Sequence, residues 1–221
     1  MAYSAQTFVA GEQPTAAKWN LLWSNDASFN DGTGIGSGVI TASKLASTAI
    51  TSAVVDWSTS GGIWWQELGR TTLSVSGDTI SVNPISAKLH LKIIVSCYAT
   101  GGNMNVLLRF NNDSGNNYSL RRELDGAADA TLTSNPEIQL QTSTSTIPQY
   151  SVVHVTNPAT NEKPVIAQTI AYSTGASVAP SRGQIVGKWA NTASQITRID
   201  VINSSTGDFA AGSTVVVLGH D

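Results

Sequence analysis

From residue 63 onward, apolar and polar residues alternate with a period of two, in short runs broken by turn residues. That is the pattern of strands buried on one face. It predicts strands at 64–75, 79–82, 89–99, 106–110, 118–124, 137–141, 150–156, 165–172, 183–190, 197–202 and 214–218. Ser76-Gly77-Asp78, Asn83-Pro84, Gly101-Gly102-Asn103, Asp125-Gly126 and Asn157-Pro158 supply turn signals between them. No long helical period interrupts the region, so the expected fold class is all-β: an antiparallel, jelly-roll-like β-sandwich. In 89–99 the alternation assigns Leu89, Leu91, Ile93, Val95 and Cys97 to one face and His90, Lys92, Ile94, Ser96 and Tyr98 to the other. The stretch 106–125 reads as two strands around Asn111-Asn112-Asp113-Ser114-Gly115-Asn116-Asn117, a hairpin with a wide polar tip.

The first 62 residues carry a different pattern. Thr15 is a good N-cap, and Ala16, Trp19, Leu22 and Trp23 then share one face at helical spacing, predicting a short helix that stops before Asn25-Asp26. So short a helix is marginal alone in water, and its indoles need cover from the β domain or from another protein. Ile40, Leu45, Ile50 and Val55 follow at intervals of five, which fits neither regular period. Such a segment is either a shaft in which copies of the chain wind together or a polar linker. Trp57, Trp64 and Trp65 mark the junction, and adjacent strand residues point to opposite faces, so only one of Trp64 and Trp65 can enter the core. The expected organisation is an arm at 1–35, a shaft or linker at 36–62, and a head at 63–221.

Composition narrows the chemistry. A chain of 221 residues can bury a sizeable core, and 12 basic against 15 acidic residues give no basic field for nucleic acid. No apolar stretch is long enough to span a membrane, and the N-terminus lacks a signal-peptide pattern, so synthesis in a cytoplasm is expected. The lone cysteine, Cys97, lies in an apolar run and reads as a buried, inert thiol. His90, His154 and His220 are scattered, with no metal-ligand spacing and no nucleophile motif. Glu67, Asp78, Glu123, Asp125, Asp129 and Glu137 could supply a glycosidase pair, but nothing in their spacing selects one. Asn111, Asn112, Asp113 and Asp125 lack the ladder of a calcium loop. The expectation is a binding protein with no catalytic residues, no metal and no cofactor.

The run Leu108-Arg109-Phe110 through Tyr118-Ser119 resembles a hairpin of the β-sandwich domains in bacteriophage virion proteins, tail-fibre and head-fibre types among them. The opening Gly11-Glu12-Gln13-Pro14-Thr15-Ala16-Ala17-Lys18-Trp19-Asn20 is similar to the attachment segment of many such proteins, and the five-residue spacing looks like their trimeric shafts. The resemblance implies a structural protein of the virion, assembled as a homotrimer and neither binding nucleic acid nor inserting in a membrane. Its arm would dock on a tail or capsid protein. Docking or subunit contacts are expected at Trp19, Leu22, Trp23, Ile40, Leu45, Ile50, Val55 and Trp64. Asn111, Asn112, Asp113, Asn116 and Asn117, with the loop 142–148, would face a host-surface glycan or protein. The alternative is a capsid decoration or head-fibre protein that clamps major capsid protein and has no receptor.

Overall fold

The computed structural model describes residues 10, 11, 13, 15–20, 23, 65–140 and 146–221. The chain divides into two units, Met1–Ser60 and Gly61–Asp221. In the first, residues 16–20 and 23 are helical. Thr15 caps it as its spacing predicts: the Lys18 N–H donates to Thr15 Oγ1 at 3.4 Å, and the Trp19 N–H to the Thr15 carbonyl at 3.1 Å. Leu22 and the spaced aliphatics Ile40, Leu45, Ile50 and Val55 lie outside the described residues, as does Trp64.

The second unit is all-β and antiparallel, with fourteen strands among the described residues: β1 (Gln66–Thr72), β2 (Thr79–Val82), β3 (His90–Cys97), β4 (Ala99–Thr100), β5 (Val106–Phe110), β6 (Tyr118–Leu124), β7 (Ala130–Asn135), β8 (Ile138–Gln139), β9 (Gln149–Thr156), β10 (Lys163–Ala171), β11 (Ser181–Trp189), β12 (Ile199–Asn203), β13 (Asp208–Phe209) and β14 (Thr214–His220). A large sheet runs β1-β14-β3-β9-β10-β11-β6-β7, a smaller one β2-β12-β5-β8, and β13 pairs with β4. The core lies between the two larger sheets. Leu91, Ile93, Val95 and Cys97 of β3, Val153 and Val155 of β9 and Val215 and Val217 of β14 meet Ile80, Leu108, Phe110, Ile199 and Val201 from the opposite sheet. The inward set of β3 is the predicted one. Leu89 departs from it: it precedes the strand and is exposed, its N–H bound to Asp221 Oδ1 at 3.1 Å. Cys97 is fully buried, and desolvation of its thiolate pushes its pKa up to about 12.

The segment 106–125 corrects the hairpin expectation. Both strands are present at the predicted limits, but they do not pair. β5 lies between β12 and β8 in the small sheet, and β6 between β11 and β7 in the large one, so residues 111–117 carry the chain from one sheet to the other. Asn111 and Asn112 turn the chain there with φ of 52° and 56°, a conformation Asn tolerates because its short side chain can bond locally. Asn111 then ties the turn down. Its Oδ1 accepts the N–H groups of Thr197 and Arg198 at 2.9 and 3.1 Å, and its Nδ2 donates to the Gln195 carbonyl at 2.8 Å. No helix among the described residues is long and apolar enough to cross a membrane.

Candidate functional site

The residues assigned to ligand-facing loops divide in two. Asp113 is half-buried and accepts three donors, the Trp189 indole N–H at 2.7 Å, the Gly115 N–H at 2.8 Å and Asn117 Nδ2 at 2.9 Å. Burial would raise its pKa, but the bonds from Trp189, Asn117 and Gly115 and the charge of Arg109 outweigh it and hold the carboxylate below the ordinary Asp range. Tyr118, fully buried beneath the turn, accepts the Phe110 N–H at 3.0 Å and donates to the Asp113 carbonyl at 3.2 Å; desolvation drives its pKa upward. Asn111 and Asp113, both half-buried, thus spend their side chains inside the molecule, and Asn117, although exposed, turns its amide onto Asp113. Asn112 and Asn116 are exposed. Of the loop 142–148, residues 142–145 lie outside the described residues. Among the predicted docking residues, Trp19 and Trp23 are 54% and 75% exposed.

The carboxylates considered for catalysis are dispersed, most of them in contact with an arginine: Glu67 with Arg70, Glu123 with Arg182, Asp129 with Arg121 and Glu137 with Arg109. The Asp125 carboxylate accepts the Arg182 N–H at 2.7 Å. Asp78 does meet a second carboxyl, Asp208, whose pKa is raised chiefly by their shared hydrogen bond.

Strand adjacency assembles a cluster that linear spacing hides. β14, β3 and β9 are consecutive in the large sheet, which sets His220 opposite His90 and His154 opposite Lys92. All three histidines therefore come up on the outer face at one end of that sheet. The rings of His90 and His220 stack with centroids 4.9 Å apart. Trp65, just ahead of β1 and 37% exposed, meets His220 edge-on at 4.6 Å and His154 at 6.2 Å. These four side chains with Thr156, Pro164 and Ile166 line a cleft of about 250 Å³. Burial, and secondarily the charge of Lys92, lower the pKa of His154. Among the described residues no group of three or more His, Cys, Asp or Glu is arranged to hold a metal ion. The alternation of β3 and β9 does place His90 and His154 outward, which is the one signal the sequence carries for this cluster.

From Ile166 at the cleft, 60% exposed, the same face continues outward with exposed Tyr150, Ile170 and Val186, the last at 54%. Comparison of the chain with protein-family models, with curated proteins and with solved structures finds no match.

Proposed function

We propose that the chain is a structural protein of a bacteriophage particle, a fibre-type appendage whose arm docks on the particle and whose β head binds a ligand at the host surface. The observation that carries this reading is the exposed pair Trp19 and Trp23, four residues apart and so on one helical face. Two indoles held in water are costly, and a helix as short as the sequence predicts here gains little from its own hydrogen bonds. Burial against a partner supplies what the helix lacks. The sequence resemblance of residues 11–20 to attachment segments supports a virion protein as that partner. The spacing of Ile40, Leu45, Ile50 and Val55 supports winding of three copies.

Two features of the head support the rest. Its strands change sheet at β1→β2, β2→β3, β3→β5, β5→β6, β7→β8, β8→β9, β11→β12 and β12→β14, with β1-β14-β3-β9 in one sheet and β2-β12-β5-β8 forming the other. We read this as jelly-roll connectivity, with β6–β7 and β10–β11 as additions that widen one sheet. The exposed aliphatic and aromatic side chains of the wide sheet favour a binding role, since apolar patches on a soluble surface mark contact sites.

The test is position. Gold-labelled antibody against the chain, applied to intact phage particles from the lysate that produces it, should decorate fibrous appendages of the tail. Label on the capsid surface would assign the decoration role instead, and particles free of label would overturn the reading.

A further inference from the structure

We propose that the cleft between Trp65 and the three histidines binds the anionic sugar unit of a saccharide, a uronate or a sugar phosphate, and that it binds more tightly on acidification. This rests on the reading of the head as a ligand-binding module and names the ligand class.

The argument starts from charge. Lys92 stands beside His154, and His90 and His220 stack on the next row of the sheet. The flanking carboxylates are already engaged: Asp221 with Lys88 at 2.6 Å, and Glu162 with Lys188, opposite Pro164, at 2.7 Å. Among the described residues no ion pair reaches Lys92, His90 or His154. A proton on His90 or His154 therefore adds charge that no ion pair offsets to a patch that already holds a lysine, whereas His220, with Nδ1 3.0 Å from the Asp221 backbone oxygen, shares the charge of the Asp221 carboxylate; a bound anion would relieve the excess. The second element is shape. The Trp65 indole offers an apolar surface at the mouth of the cleft, and the Thr156 hydroxyl lies opposite His90 in the sheet register. An aromatic plane for the C–H face of a pyranose, hydrogen-bonding groups at its rim and cations for its acid group together describe an acidic sugar. At about 250 Å³ the cleft suits one ring-sized group, being smaller than the usual pocket for a drug-sized ligand.

The direction of the pH effect follows from the imidazoles. Above their titration range only Lys92 is charged. Burial and the charge of Lys92 oppose protonation of His154, and a bound anion would favour it. The test uses the full chain with methyl glucuronide, glucose 6-phosphate, methyl glucoside and inorganic phosphate as probes, by calorimetry and by NMR of the three histidine rings. The glucuronide or the sugar phosphate should bind at about pH 5.5, at least about tenfold more tightly than at about pH 7.5, and raise the pKa of His154. Binding by one of them alone would decide between carboxylate and phosphate. His154→Gln should flatten the pH dependence, and Lys92→Gln should weaken binding at both pH values, with the unfolding midpoint of each variant reporting that it still folds. Equal binding of the neutral glucoside, equal binding of inorganic phosphate, or no binding with unmoved histidine signals would overturn the proposal. Particle labelling does not depend on this cleft, so loss of the sugar with label still on the appendage would remove the site and leave the fibre reading intact.

Discussion

Asp113 shows how much one polar side chain can hold. Its carboxylate gathers the turn at 111–117 and the Trp189 indole, while the Trp189 ring packs on Phe110 and Tyr118 at centroid separations of 5.9 and 6.4 Å. Buried Lys163 approaches the same indole, 5.6 Å from its centroid, and donates to the carbonyls of Asn161 and Asn191 at 2.9 and 2.7 Å. Replacing Asp113 by Ala leaves an indole N–H and a backbone N–H without their acceptor, so Asp113→Ala should cost about 1–3 kcal/mol in urea unfolding. Because the folded-state pKa is depressed, the carboxylate's contribution is complete above the unfolded value of about 3.9 and is lost as pH falls through the folded value. Asp113→Asn should therefore flatten the fall in stability across that acid window, which midpoints measured from pH 7 downward would reveal.

Among the elements, the short connections carry unusual precision. The loop between β12 and β13 lies directly on the loop between β4 and β5: the Gly207 N–H donates to the Asn103 carbonyl at 2.8 Å, and Asn203 Nδ2 donates to the Gly207 carbonyl. A Cβ on Gly207 would collide with the backbone of Gly102, which has no flexible atom to move aside. Gly207→Ala should lower stability by about 1–3 kcal/mol in thermal or urea unfolding, whereas Gly77→Ala, with open space around its Cβ, should change it far less. The strands themselves were legible because alternation is a local property; β2, β5 and β6 fall at their predicted limits. Pairing was not. A seven-residue polar loop can return a chain beside itself or carry it across to another sheet, and what excludes the hairpin is that β12 and β8 occupy both edges of β5. β7 was missed because Ala-Thr-Leu-Thr-Ser-Asn holds one large apolar residue, Leu132, too few to show a period. The histidine cluster was hidden for the same reason as the pairing, since His90, His154 and His220 meet only through sheet order.

At the scale of the molecule, two demands for company meet in one chain. The arm exposes Trp19 and Trp23, and the wide sheet exposes Tyr150, Ile166, Ile170 and Val186. Burial of a large apolar side chain is worth about 1.5–3 kcal/mol, so several of them left in water favour association over a free monomer. The aliphatics at 40, 45, 50 and 55 were expected to supply the contact between copies, with three chains winding so that each offers its apolar position inward. Static light scattering of the full chain, during size-exclusion chromatography at micromolar concentration, tests this most directly. The account predicts a single species of three times the 23.1 kDa chain mass, and a species of 23.1 kDa under those conditions would contradict it.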